Sequence, residues 1–244
     1  MAAPPLIRCE KLDKWYSGVH ALHGIDLDIH AGEIIGLIGD NGAGKSTLIK
    51  LLSGVHQPDS GAILVDGRKV HIRSPRDAMR LGIETIYQSN SMVLTMSIAR
   101  NLFLGREPAR IGVKGFGILD QGRMRSEARA AIARVDLEVR SPDARLGELS
   151  GGQRQGVAIA RAMYFRSRVV ILDEPTNHLS VKETAKVIDF IKGFKSQNVT
   201  GIFISHNLQH VFETCERLVV MARGEIVRDT AREETTISEV SGLL

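Results

Sequence analysis

Long apolar runs, paired cysteines and basic tracts are all missing from this chain. No stretch approaches the roughly 18 consecutive apolar residues that a membrane-spanning helix needs. The opening Met1-Ala2-Ala3-Pro4-Pro5 has none of the apolar core of a secretory signal. The expectation is a chain that stays in the cytosol and meets a membrane only through a partner. Cys9 and Cys215 sit in no CxxC pair and near no histidine at metal-ligand spacing. They read as reduced thiols rather than a disulfide or metal framework. The net charge of +4 comes without a basic run, so nucleic acid is not an expected partner. What is present is 43% hydrophobic and 25% charged residues over 244 positions. That suits one large domain, or a core with an inserted subdomain.

Alternation of strand and helix signals predicts an α/β fold. Leu6 to Arg8, Ile25 to Ile29 and Ile34 to Ile38 read as strands, and Lys45 to Ser53 as an apolar-faced helix. Ala62 to Val65 and Lys69 to Ile72 flank Asp66-Gly67 as a hairpin. Ser74-Pro75 opens a short helix that ends by Gly82, followed by a strand through Ile86. From about Ser89 to Phe165 strand signals vanish. Helical patterns such as Ser126 to Val135 dominate, and the glycines from Gly112 to Gly117 read as a loop. Strands then return at Val169 to Leu172, Gly201 to Ile204 and Leu218 to Met221. Between them lie helices at Lys182 to Lys195 and around Leu208 to Cys215. The expected organisation is a core of residues 6–88 and 166–230, a helical insertion at 89–165, and a tail at 231–244. The sheet is expected to be mostly parallel, with an N-terminal antiparallel β portion.

Gly39-Asp40-Asn41-Gly42-Ala43-Gly44-Lys45-Ser46-Thr47 fits the phosphate-binding pattern G-x-x-x-x-G-K-[ST], between a buried strand and an apolar helix. Glycines let successive N–H groups converge on phosphate oxygens, and the following helix points its positive end at the same anion. Lys45 is expected on the β- and γ-phosphates and Ser46 on Mg²⁺. Val169 to Leu172 leads into Asp173 and Glu174, at the strand end where open α/β sheets bind ligands. Asp173 is expected to hold Mg²⁺ and Glu174 to polarise a water, on the reasoning that side chains alternate along a strand. Ser150, Gly151, Gly152 and Gln153 precede a second helical stretch and form a second candidate anion site. One phosphate cradle does not need two.

Leu149-Ser150-Gly151-Gly152-Gln153-Arg154-Gln155 resembles the signature of the ABC ATPases, in the order that family shows relative to the other motifs. The resemblance runs from about Leu6 to Val227 and implies a P-loop NTPase core of the RecA-like kind. It implies that Tyr16 stacks on adenine, with the neighbouring Trp15 as a competitor, and that Gln88 touches Mg²⁺ and the attacking water. It makes His206 the residue that contacts the γ-phosphate and holds Glu174 in line. One position departs from the pattern. Most members carry Ser-Ala-Leu-Asp where this chain has Asn177-His178-Leu179-Ser180, and Ser180 with Glu183 fits a capping box instead. A similar departure occurs in the ATPases of monosaccharide importers, which Asn101-Leu102-Phe103-Leu104-Gly105-Arg106-Glu107 also resembles.

The resemblance implies a head-to-tail homodimer closing over two ATP molecules. Each ATP would lie between Lys45 of one copy and Ser150 of the other. ATP and Mg²⁺ are the implied cofactors. The implied partners are permease subunits and, through them, a substrate-binding protein, with the chain on the cytoplasmic face of the inner membrane. A sugar importer is the leading reading. A soluble ABC ATPase of DNA repair or translation, or a non-sugar importer subunit, is the alternative.

Overall fold

A computed structural model describes residues 4–87, 92–113 and 116–244. The chain forms two compact units. The first comprises residues 1–87, 167–175 and 191–244, and the second 88–166 and 176–190.

The first unit holds two sheets. β1 (Ile7–Tyr16) and β2 (Val19–Ile29) pair antiparallel, and with β4 (Ser60–Val65) and β5 (Arg68–Val70) they make a sheet of order β2-β1-β4-β5. Both long strands extend well beyond the expected segments. Charged residues alternate out of β1, and its register shifts beyond Cys9 break the simple period of two.

β3 (Ile34–Ile38), β6 (Ile83–Ile86), β9 (Val169–Asp173), β10 (Thr200–Ile204), β11 (Arg217–Ala222) and β12 (Glu225–Ala231) form the second sheet, in the order β12-β11-β3-β10-β9-β6. All pairings are parallel except β11 with the edge strand β12. The inner strands are almost wholly buried and mostly apolar, as a sheet covered on both faces requires. β12 has the half-exposed alternation of an edge, and sequence reasoning gave it no element of its own.

α1 (Lys45–Leu52) buries Leu48, Ile49, Leu51 and Leu52 in the core shared by both sheets. α2 (Pro75–Arg80) begins on the Ser74 cap and stops two residues before Gly82. α7 (Leu208–Thr214) and α8 (Ile237–Ser241) complete this unit. The C-terminal segment is therefore folded, with Val240 fully buried.

The second unit contains α3 (Ile98–Phe103), α4 (Gln121–Arg134), α5 (Gly151–Tyr164) and the N-terminal part of α6 (Val181–Lys192). Ala99, Leu102, Phe103, Met124, Ala128 and Ala131 form its core, with Tyr164 and Phe165 packed on it. Asn101 is wholly buried, and its amide exchanges hydrogen bonds with Val93 at both N–H and C=O. That satisfaction removes most of the cost of a buried amide.

One expectation is corrected here. β7 (Ala109–Val113) and β8 (Phe116–Leu119) form an antiparallel hairpin where a glycine loop and a strand-free insertion were expected.

Candidate active site

Parallel register brings three loops to one edge of the second sheet. Leu37 pairs with Ile204, and Ile204 with Asp173. The segments beginning at Gly39, Glu174 and Ser205 therefore leave the sheet side by side, where open α/β sheets place their ligands.

The Gly39–Lys45 loop turns directly into α1. Gly44 is the N-cap, at φ 105°, and an added Cβ would stand 2.9 Å from the Ala21 carbonyl oxygen. Both conditions demand glycine. α1 starts without a side-chain cap and without an acidic residue in its first turn. Among the described residues, each of the other seven α-helices begins with a side chain accepting from a first-turn N–H. The positive end of α1 is thus left for an external anion.

Lys45 Nζ folds back onto the carbonyls of Gly39 (2.5 Å) and Asp40 (2.9 Å). Burial pushes its pKa down, against the opposing charges of Glu174, Asp40 and Asp173. Ser46, Asn41 and Gly42 are exposed, Ala43 is buried, and Thr47 is half-buried.

Asp173 ends β9. Burial raises its carboxyl, and the adjacent Glu174 charge raises it further, while Lys45 and Lys50 act the other way. Glu174 lies beyond the strand at φ 51°, in the left-handed region. This corrects the reason first given for its divergence from Asp173. A left-handed turn, and not strand alternation, re-aims its side chain. Such backbone is costly for a β-carbon residue and clusters at functional sites. His206 holds the carboxylate through its backbone N–H and Nδ1, both at 3.0 Å.

Tyr16 ends β1, half-buried, with its ring edge against His56 and Lys14 Nζ 5.6 Å from its centroid. Its hydroxyl is buried without a hydrogen-bond partner among the described residues. Trp15 is 50% exposed and stacks on His20 at 3.9 Å, so that one of its faces is already used. Gln88 lies outside the described residues. Tyr87, just before it, donates to Ser53 Oγ (2.8 Å) at the end of α1.

The second unit holds the second candidate anion site. Ser150 caps α5 in a capping box with Gln153: Gln153 N–H donates to Ser150 Oγ, and Ser150 N–H to Gln153 Oε1. Sequence reasoning missed what sits on this site. Gly152 N–H donates to Glu183 Oε1 (3.2 Å). The Ser180–Glu183 capping box is present as read from the sequence. Hydrogen bonds from Ser150, Ser180 and Gly152 pull the Glu183 carboxyl down to about 2. The box is legible at spacing i, i+3; the reach to Gly152, 31 positions away, is not.

Residues 22–177, more than half of the chain, match the ABC transporter family. The chain belongs to that family. It is 38% identical to the xylose/arabinose import ATP-binding protein XylG of Sulfolobus acidocaldarius, over 98% of this chain and 93% of that protein. It is 44% identical to the fructose import ATP-binding protein FrcA of Rhizobium meliloti, over 92% and 87% respectively. Identity is also 44% to the ribose import ATP-binding protein RbsA 1 of Rubrobacter xylanophilus, where the match covers 94% of this chain but only 46% of the relative. The chain thus spans about half the length of the ribose relatives it matches. Among solved structures, a nucleotide-free ATP-binding cassette from an ABC transporter superposes with a TM-score of 0.84 at 24% identity, over 97% of this chain and 95% of that one. That likeness concerns the fold, an α/β cassette with a mainly parallel sheet and a separate antiparallel sheet.

Proposed function

We propose that this chain is the ATP-hydrolysing subunit of an ABC importer and that the imported solute is a sugar. The observation that carries the ATPase reading is the start of α1. It is the one α-helix start among those described that no side chain caps, and it adjoins the Lys45 ammonium and the Asp173–Glu174–His206 group. The names of the relatives support import and sugar, as does the departure from Ser-Ala-Leu-Asp at Asn177 to Ser180.

In this reading Gly39 to Thr47 wrap the phosphates of ATP and Lys45 leaves the Gly39 and Asp40 carbonyls to meet them. Tyr16 lies under adenine. Glu174 accepts a proton from the attacking water, and His206 fixes the direction from which it does so. Two carboxylates against one ammonium leave the site short of positive charge, which fits a divalent cation. Ser46 and Asp173 supply hard oxygen ligands for Mg²⁺, with Gln88 a further ligand, and the ion would neutralise phosphate charge. Ser150, Gly151, Gly152 and Gln153 of a second copy face the γ-phosphate, so that each active site is shared. Permease subunits anchor the dimer on the cytoplasmic face of the membrane, where a binding protein delivers solute from the other side. Among the described residues no helix is long and apolar enough to cross a membrane itself.

Phosphate release from ATP by the purified chain, alone and reconstituted with its permease, tests the reading. Expected is hydrolysis that Lys45→Ala removes and the permease stimulates. Nucleotide binding without any release, in both settings, would reduce the chain to a binding module. Sugar uptake into vesicles holding the full complex tests the solute.

A further inference from the structure

The carboxylate of Glu183 lies on the candidate anion site at the start of α5. It accepts from the Gly152 N–H at 3.2 Å, and this donor stands beside the Ser150 cap at the positive end of the 14-residue helix α5. Its other oxygen is held by the backbone N–H (3.0 Å) and hydroxyl (2.9 Å) of Ser180. Contact is close enough that a Cβ on Gly152 would stand 2.8 Å from the Glu183 Cβ. An N–H already bonded to a carboxylate is not free for a second anion, and two anions at one helix start repel. Beside the carboxylate lies a cavity of about 240 Å³, with Glu138, Gln153, Lys182, Lys186 and Phe190 on its wall. Lys186 is one helical turn from Glu183, within reach of an i, i+3 pair. A second resting place for the carboxylate, near two ammonium groups, is therefore built in.

We propose that Glu183 is an internal plug on the signature site. In the free chain it occupies the Gly152 N–H beside Ser150, and the γ-phosphate of ATP carried by a second copy must displace it before the dimer closes. This rests on the shared-site reading above. Glu183 then sets the ATP concentration at which closure occurs. It does not touch the reacting atoms, and its removal makes closure easier.

The test is ATP-driven dimerisation of the full chain in a Glu174→Gln background, which holds ATP uncleaved, followed by light scattering across a range of ATP concentrations. Glu183→Ala is expected to lower the half-dimerising ATP concentration about tenfold, the weight of one charge-assisted contact. Glu183→Gln keeps the capping box and the fold, and it should shift the midpoint the same way by less, because its amide oxygen is a weaker competitor. Thermal midpoints of the two variants should not rise, which separates the effect from general stabilisation. An unchanged or higher ATP requirement in both variants overturns the plug while leaving the shared site standing. A parent that forms no dimer with ATP, or one that Ser150→Arg leaves unaffected, overturns the shared site and the plug with it.

Discussion

His206 grips both carboxylate oxygens of Glu174, its backbone N–H on Oε1 and its Nδ1 on Oε2, each at 3.0 Å. An ionised carboxylate only accepts, so Nδ1 carries the proton in this pairing, and Nε2 is the ring nitrogen left for a ligand. The Glu174 side chain is 14% exposed and that of His206 71%. The histidine is therefore the more accessible member of the pair.

Glu174→Gln keeps the size of the side chain and its contact with the His206 N–H, but not its basicity. ATP binding should persist, while turnover falls by about 10²–10⁴, the usual weight of a general base. Single-turnover hydrolysis at the wild-type rate would remove Glu174 from the role.

Tyr16→Phe deletes a buried hydroxyl that has no hydrogen-bond partner among the described residues. The thermal midpoint should hold or rise, and ATP affinity should be unchanged, because stacking uses only the ring face. Tyr16→Ala should weaken ATP binding by roughly 1–2 kcal/mol, measurable by titration calorimetry. A loss seen with Trp15→Ala instead would move the stacking role to Trp15.

Mixing two inactive variants reports on the shared site. Lys45→Ala removes the ammonium from one half-site, and Ser150→Arg fills the other. A mixed dimer has one site with both lesions and one with neither. Random pairing of equal amounts should restore about a quarter of wild-type phosphate release if the sites act independently. A mixture as inactive as its components, while wild-type chains exchange freely, contradicts the shared-site mechanism.

Ser180→Asp preserves a good helix cap. However, Ser180 Oγ donates to Glu183 Oε2 at 2.9 Å, and an aspartate there cannot donate. Two carboxylates would face each other, and Glu183 should leave the Gly152 N–H. Faster amide exchange at Gly152, read by NMR, is the expected signature; unchanged protection would show that the clasp tolerates the added charge.

Acid should erase the contribution of Glu183 to stability. Its folded pKa of about 2 lies below the ordinary 4.5. The stabilisation is complete above the unfolded value and is lost as pH falls from 4.5 towards 2. Lys182, Lys186 and Glu138 share the cavity with it. The gap in thermal midpoint between wild type and Glu183→Gln should be roughly half closed near pH 3.3, midway between the two values. A gap as wide at pH 3 as at pH 7 would point to packing rather than charge.

The core of the fold was more legible in the sequence than the map of its outer strands. Gly39 to Ser46 could be read because glycine, lysine and hydroxyl at fixed spacing answer one physical demand, the wrapping of phosphate. β3, β9 and β10 could be read because they are short, mostly apolar runs. The β7–β8 hairpin was hidden because glycines at 112, 115 and 117 interrupt its alternation, and glycine argues for a loop wherever no partner strand is known. The outer part of β1 was hidden by charged residues that cover an exposed face and by a bulged register. The left-handed turn at Glu174 leaves no mark in composition, since the residue type there is chosen for its carboxylate and not for its backbone. Nothing local to Glu183 betrays Gly152; their meeting is a product of tertiary packing.

The bare start of α1 ties the endurance of this chain to cellular energy supply. The other described α-helices start on a side-chain cap; under the proposed function, this one takes a nucleotide in its place. A ligand that binds only the folded chain adds about 2.7 kcal/mol when present at a hundred times its dissociation constant. That is a large share of the margin by which most domains stay folded. A starved cell would thus lose these subunits to unfolding and proteolysis sooner than a fed one, so that abundance as well as turnover follows the nucleotide pool.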